Sequence, residues 1–226
     1  NNKEVKPFTF NAISAASQIN EDVHVLVIGS NSEEVAKSIS QVPNVKKVIN
    51  VNNPIYENYL AENYTSVIIK LSGNYSHILC SANTFGKNLM PRVAALLDVS
   101  QISDITKVIS EDTFQRPIYA GNAFATVKSN DKIKCVTIRP TSFDPAPTSG
   151  GSAEIQNGDA AEATEITKFI KKEEIKSDRP ELGTARVVVS GGRGMQSGEN
   201  FKLITAVADK LNACLLYTSD AADDWS

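Results

Sequence analysis

The chain has 226 residues and a formal net charge of −3, with 23 Lys and Arg residues against 26 Asp and Glu residues. Its composition, 41% hydrophobic and 22% charged, is that of an ordinary globular protein with room for one large or two small domains. The near balance of charge excludes a broad basic surface for nucleic acid or lipid, and no apolar run approaches the roughly 18 residues needed to span a bilayer.

Apolar runs and amphipathic stretches alternate over the first hundred residues. The predicted elements, in the order strand, helix, strand, strand and helix, are residues 24–28, 32–39, 45–51, 76–80 and 87–97. Pro91 is expected in the first turn of the last of these helices, where its missing N–H costs little. Alternation of this kind favours a parallel sheet with helices on both faces, so the predicted class is α/β.

A different pattern follows in the middle of the chain. Residues 116–122, 123–128 and 133–138 are predicted as strands separated by turns, and we expect them to add an antiparallel part to the sheet. Residues 145–163 are turn-rich, small and polar, which indicates an exposed connection.

A glycine-rich turn follows a β-branched strand, residues 186–189, and leads into a helix with apolar positions at helical spacing. The turn consists of Ser190, Gly191, Gly192, Arg193 and Gly194. Glycine permits positive φ and close approach of a ligand, while the free N–H groups at a helix start favour an anion. Arg193 adds donors that suit phosphate oxygens or a planar ring system. The pattern is not GxGxxG, and from the turn alone cofactor binding and a tight structural loop are equally good interpretations.

Other reactive residues give weaker signals. Cys80, Cys135 and Cys214 have no CxxC spacing, which suits a reducing compartment rather than a disulfide framework. His24 and His77 lie in apolar runs without a second ligand at a metal-site spacing, so no metal site is predicted.

Residues 83–92 form a predicted strand-to-helix turn that holds Thr84 and Arg92. Such a turn could bind an anion, but packing against a partner explains it equally well. Asp104 and Asp144 are assigned to the fold or to an interface, because no nucleophile or histidine accompanies them.

Several longer motifs resemble the α subunit of electron-transfer flavoproteins. They are ANTFGKNLMPRVAA at 82–95, ISDI at 102–105, IYAGNA at 118–123, TSFD at 141–144, SDRPEL at 177–182, VVVSGGRG at 187–194 and SGENF at 197–201. The resemblance runs, with gaps, from about Phe8 to Ala213. Because the motifs are long and stand in the family's order, coincidence is a poor explanation for them.

The resemblance implies an FAD-containing electron carrier, not an enzyme with its own substrate chemistry, that forms a heterodimer with a β subunit. It implies acyl-CoA and related dehydrogenases of fatty acid β-oxidation as electron donors and a membrane quinone oxidoreductase as acceptor. The mitochondrial matrix is the expected location, and a bacterial cytoplasm is the alternative. The resemblance places Arg193 in contact with FAD. The accompanying cofactor-binding residues are Ser190, Gly191, Gly192 and Gly194.

The resemblance also suggests a domain organisation. We expect a doubly wound, mostly parallel N-terminal α/β domain at 1–145 without the family's first strand, and a connection at 146–180. The truncated start of a Rossmann-like FAD domain is expected at 181–213. The tail, 214–226, does not resemble the family but resembles a translated sequencing adapter, so the chain is expected to be a fragment. With so little of an FAD domain present, we expect this polypeptide to hold FAD poorly.

Two other functions, a nucleotide-dependent enzyme and a non-redox docking module, are the alternatives to an electron carrier. A nucleotide-dependent α/β enzyme would use Arg193 on a phosphate, but it needs an acidic ribose-binding residue about 20 positions after the turn. Asp209 comes too early for that role and falls on the predicted helix. The other alternative is a non-redox module in which the N-terminal domain only docks a partner.

Overall fold

The structure is a computed structural model that describes residues 4–171, 173, 179, 180, 182 and 185–217. The chain divides into two compact units, Asn1–Ile170 and Lys171–Ser226.

The first unit contains four helices and nine strands within its described residues. In chain order they are α1 (Pro7–Ile19), β1 (Val23–Gly29), α2 (Glu33–Ser40), β2 (Val45–Asn52), α3 (Ala61–Ser72), β3 (His77–Ser81), α4 (Thr84–Leu96), β4 (Gln101–Ile105), β5 (Lys107–Ser110), β6 (Thr113–Ile118), β7 (Ala123–Lys128), β8 (Lys134–Ile138) and β9 (Glu154–Asn157).

Parallel sheets form the frame of this unit. One sheet has the order β1-β2-β9 and another the order β3-β8-β4, and every pair in both is parallel. A third sheet, β5-β6-β7, is antiparallel. The predicted mixed α/β class with parallel sheets is confirmed.

The position of β8 corrects one expectation. Residues 133–138 were predicted within the antiparallel part, but β8 lies between β3 and β4 in a parallel sheet. Its residues Cys135, Val136 and Ile138 are fully buried. A strand covered on both faces shows a continuous apolar run rather than alternation, and this is the pattern of a central parallel strand.

Helix α4 starts earlier than predicted because Asn83 caps it. The Asn83 side-chain oxygen accepts a hydrogen bond from the Gly86 N–H at 2.8 Å. Pro91 therefore lies inside the helix and not in its first turn. Because proline has no N–H, the Lys87 carbonyl lacks its helical hydrogen-bond donor. Pro91 and Lys87 are both exposed, so water can donate to that carbonyl instead.

Three clusters of buried side chains form the core of the first unit. The largest packs β2 against α3 and α4 and includes Val51, Tyr56, Val67, Met90 and Val93. The second lies beneath α2 and includes Ala36, Ile39, Val42, Val45 and Val48. The third joins α1 to β4, β6 and β8 and includes Ala15, Ile105, Phe114, Val136 and Ile138.

The segment after β8, which was predicted as a connection, packs on this core as far as Thr164. β9 pairs with β2. Beyond β9, the Ala161 N–H donates to the Tyr56 hydroxyl at 2.9 Å, and the Thr164 N–H donates to the Asn63 side-chain oxygen at 3.0 Å. We call residues 158–164 the strap.

The second unit contains a strand–helix–strand sequence. Its elements are β10 (Val188–Gly191), 3₁₀ turns at Arg193–Met195 and Gly198–Asn200, α5 (Phe201–Leu211) and β11 (Cys214–Tyr217). β10 and β11 are parallel, with Val188 opposite Cys214 and Gly191 opposite Tyr217.

β11 lies at the start of the segment that was predicted to be an unrelated tail. Of the predicted tail, residues 214–226, the first four form a strand. The Cys214 N–H donates to the Val187 carbonyl at 3.0 Å. The four residues Cys-Leu-Leu-Tyr are apolar enough to pair with β10 whatever their origin. Residues 218–226 lie outside the described part of the chain.

Among the described helices, none combines the length and the apolar character that crossing a bilayer requires.

Candidate functional site

The glycine turn lies at the carboxyl end of β10 and leads into α5. In open α/β sheets this end of the strands is where ligands bind, and the helix that follows presents free N–H groups there. The local sequence explains the geometry. A β-branched strand ends where Gly191 begins the turn, and the apolar stripe of α5 folds back on the strand.

Gly191 serves packing rather than an unusual backbone conformation. Its φ is not positive, and a Cβ at this position would lie 2.5 Å from Ile204 Cδ1 and 2.9 Å from Met195 Cγ. The absence of a side chain therefore lets α5 approach β10 closely, which is one of the roles glycine has in dinucleotide-binding turns. Of the two sequence-based reasons for the glycines, access to positive φ does not apply to Gly191.

The outer part of the turn is open. Ser190, Gly192 and Gly194 are exposed, and a Cβ on Gly194 would meet no atom within 4 Å. The Met195 N–H donates to the Gly192 carbonyl at 2.9 Å and closes the first 3₁₀ turn. Arg193 begins that turn, and its side chain lies outside the described part of the structure.

Two residues that sequence reasoning missed shape the rest of the turn. Gln196 has a φ of 62°, and the Asn200 side-chain amide donates to the Met195 carbonyl at 2.7 Å. The sequence contains one indication of the role of Asn200: it directly precedes the predicted helix, and an Asn side chain at such a position often forms a hydrogen bond with nearby backbone groups.

Asp209 is paired with a cation. Arg179 Nε donates to Asp209 Oδ1 at 3.0 Å, and Arg179 Nη2 donates to the same oxygen at 2.5 Å. Asp209 lies on α5, as predicted, and its carboxylate is engaged within the second unit. This arrangement adds to the case against Asp209 as a ribose ligand of a nucleotide-dependent enzyme.

The strand-to-helix turn before α4, for which an anion site and partner packing were both considered, has its own internal cap. The Asn83 oxygen accepts from the Gly86 N–H, so one of the free N–H groups at this helix start is satisfied within the chain. Asp104 is likewise engaged, because Arg139 Nε donates to its Oδ2 at 3.0 Å. The hydrogen bond to Asp104 raises the pKa of the Arg139 guanidinium above its ordinary value. The structure thus favours a fold role for Asp104.

The cysteines and histidines of the first unit are buried or bonded within the fold. Burial raises the pKa of the Cys80 and Cys135 thiols to about 11, so both are protonated and unreactive at neutral pH. His24 Nδ1 lies 2.9 Å from the Tyr75 hydroxyl, and His77 Nε2 lies 2.6 Å from the Glu111 carbonyl oxygen. In the described part of the chain, no three His, Cys, Asp or Glu side chains are grouped to hold a metal ion.

Comparison with known proteins gives two family matches. Residues 1–163 match the electron transfer flavoprotein domain. Residues 181–225 match the electron transfer flavoprotein FAD-binding domain. The second match extends past Ala213 and includes most of the segment that sequence analysis excluded from the family.

Individual relatives are similar over nearly the whole chain. The electron transfer flavoprotein subunit alpha of Pseudomonas aeruginosa is 48% identical over 99% of this chain and 72% of the relative. The mitochondrial subunit alpha of Dictyostelium discoideum is 49% identical over 98% of this chain and 67% of the relative. The probable mitochondrial subunit alpha of Caenorhabditis elegans is 46% identical over 93% and 64%. The chain therefore spans 64–72% of the length of these curated relatives.

Proposed function

The chain belongs to the electron transfer flavoprotein α-subunit family, and on that premise we propose that it binds FAD as an electron carrier together with a β subunit. The proposal needs no catalytic residue. A bound flavin supplies the redox chemistry, while the protein binds and orients it and tunes its potential.

The observation that carries this proposal is the turn between β10 and α5 inside the region that matches the FAD-binding domain. Its outer backbone is open, and the space above Gly194 is free of protein atoms, which fits a bulky phosphate-bearing ligand. The residues proposed to hold the cofactor are Ser190, Gly191, Gly192, Arg193 and Gly194. Arg193 would pair with a phosphate or stack on a ring, and the backbone of the turn would donate to the pyrophosphate.

The proposed partners follow the family. Electrons would come from acyl-CoA and related dehydrogenases of fatty acid β-oxidation and pass to a membrane quinone oxidoreductase. The relatives include both bacterial and mitochondrial proteins, so the proposed location is the mitochondrial matrix or a bacterial cytoplasm.

We also propose that this 226-residue polypeptide holds FAD weakly by itself. The described part of the second unit has two strands and one helix. The outward residues Leu203, Val207 and Leu211 of α5 are 71%, 49% and 53% exposed. A site supported by so small a core is poorly preorganised, and preorganisation is a large part of affinity. A purified chain with stoichiometric flavin would contradict this proposal.

The central experiment coexpresses the chain with a β subunit of the family and measures flavin absorbance of the purified complex. Arg193→Ala is expected to weaken FAD binding by about tenfold or more, because it removes a charged donor to the cofactor, and hydrogen bonds between charged groups are stronger than those between neutral groups. Arg186→Ala is the matched control, since Arg186 is exposed and precedes β10. A wild-type complex without flavin would overturn the proposed function, whereas equal binding by Arg193→Ala would overturn only the role of Arg193.

A non-redox docking module is a second candidate, favoured by exposed aromatic side chains on β7 and on the 3₁₀ turn between β6 and β7. Tyr119 is 79% exposed and Phe124 is 59% exposed. Exposed apolar side chains mark a partner contact where they form a contiguous patch. Copurification of a β subunit without any flavin would favour this candidate over the electron carrier.

A further inference from the structure

The connection between β10 and α5 changes direction at a residue in an unfavourable backbone conformation. Gln196 has a φ of 62° and stands between the 3₁₀ turns Arg193–Met195 and Gly198–Asn200. Residues with a side chain rarely adopt positive φ, and they persist there only when the surroundings hold them.

A tight hydrogen-bonded turn encloses Gln196. The Ser197 N–H donates to the Met195 carbonyl at 2.7 Å, so the bond joins residues two apart and Gln196 is the central residue. A three-residue turn whose central residue has positive φ is rare and strained. The backbone that follows Gly192–Gly194 therefore does not keep its shape by local preference alone.

The side chain of Asn200 supplies a second bond to the same acceptor. Asn200 Nδ2 donates to the Met195 carbonyl at 2.7 Å, while the Asn200 N–H donates to the Ser197 carbonyl at 3.2 Å. Asn200 thus ties the start of α5 to the end of the first 3₁₀ turn. Met195 in turn lies against Gly191, where its Cγ would be 2.9 Å from an added Cβ.

We propose that Asn200 is a positioning residue for the glycine turn: its amide holds the strained turn at Gln196 and thereby fixes the backbone of residues 192–195 for a phosphate-bearing cofactor. This inference rests on the proposed FAD function and deepens it. Asn200 itself does not have to touch the cofactor, and the effect passes through the Met195 carbonyl.

The first test measures FAD affinity of the coexpressed complex by flavin fluorescence. Asn200→Ala is expected to weaken FAD binding about tenfold, the order of effect of losing one well-formed hydrogen bond. Ser197→Ala is the matched control, because it truncates a side chain on the same turn but keeps the backbone N–H that bonds to Met195. Equal affinity of Asn200→Ala and wild type would overturn the inference.

A rescue variant separates positioning from a general loss of structure. Glycine adopts positive φ without the penalty of a side chain. Adding Gln196→Gly to Asn200→Ala is therefore expected to restore part of the lost affinity. If the double variant binds FAD as weakly as Asn200→Ala, strain at Gln196 is not the route by which Asn200 acts.

Amide hydrogen exchange of the flavin-free chain tests the inference independently of the proposed function. Asn200→Ala is expected to speed exchange of the Ser197 amide about tenfold, because that amide bonds to the carbonyl that Asn200 holds. Unchanged exchange at Ser197 would overturn the inference. If Asn200→Ala speeds exchange but the complex with the β subunit never binds FAD, the role of Asn200 in the turn is supported and the proposed function is overturned.

Discussion

At the scale of single residues, two close helix–strand contacts depend on glycine. Gly86 lets α4 lie on β3, and Gly191 lets α5 lie on β10. The two sites differ in what an added methyl group would meet. At Gly191 the nearest atom is the end of the Ile204 side chain, which can rotate away. At Gly86 it is the Ser81 carbonyl oxygen, 2.0 Å from the Cβ position, and backbone cannot yield without separating the helix from its sheet.

Gly86→Ala is therefore expected to lower the free energy of unfolding by about 3 kcal/mol or more, at the upper end of overpacking effects. Gly73→Ala is the matched control, because a Cβ there meets no atom within 4 Å and its expected effect is below about 0.5 kcal/mol. Urea unfolding followed by circular dichroism measures both variants. Equal stability of the two variants would show that α4 shifts on β3 more easily than close packing allows.

Only part of the candidate site around Gly191 could be predicted from the sequence. The strand, the turn and the helix around Gly191 were predicted because β-branched, glycine-rich and amphipathic patterns stand side by side. The roles of Gln196 and Asn200 could not be predicted. They depend on a bond to the Met195 carbonyl that exists only once the turn has its particular shape.

At the scale of whole elements, some patterns were clear and others were hidden. β1, β2 and β3 were predicted from their apolar runs. Helix α3 was missed because Asn63 and Thr65, both polar, are buried beside Val67 and break the apolar period. β8 was predicted as a strand, but its place between β3 and β4 depends on pairings far apart in sequence. Local patterns do not specify such pairings.

The strap at 158–164 offers a test at this scale. Asn63 is only 4% exposed, and its oxygen accepts from the Thr164 N–H and hydroxyl at 3.0 and 3.3 Å. Asn63→Leu removes the acceptor and is expected to weaken strap binding by about 1–2 kcal/mol, because Thr164 loses two hydrogen bonds to the same oxygen.

Amide exchange at Thr164 and protease cleavage within the strap measure this change, and exchange is expected to rise about tenfold. Asn74→Ala, at an exposed position just after α3, is the control. If cleavage within the strap is as slow in Asn63→Leu as in wild type, β9 and the contact between Ala161 and Tyr56 hold the strap without Asn63.

At the scale of the whole molecule, the described groups with raised pKa values all belong to the first unit. Most of them are kept neutral by burial. Burial raises the pKa of the Cys80 and Cys135 thiols from 9.0 to about 11. It also raises the pKa of Tyr64, Tyr56 and Tyr75 above their ordinary value. In the unfolded chain all five groups lose their protons at lower pH than in the folded chain.

The sign of the resulting pH dependence follows from proton counting. Between about pH 9 and 11 the folded first unit binds more protons than the unfolded chain, so its stability falls as the pH rises. Each thiol is expected to contribute a loss on the order of 2 kcal/mol across this window. Denaturant unfolding at pH 8 and at increasing alkaline pH measures the fall. Cys135→Ser removes one titrating thiol from the core and is expected to make the fall shallower, even though the variant is less stable at pH 8. An unchanged pH slope in that variant would mean that the thiol meets water in the folded protein, which its complete burial in β8 argues against.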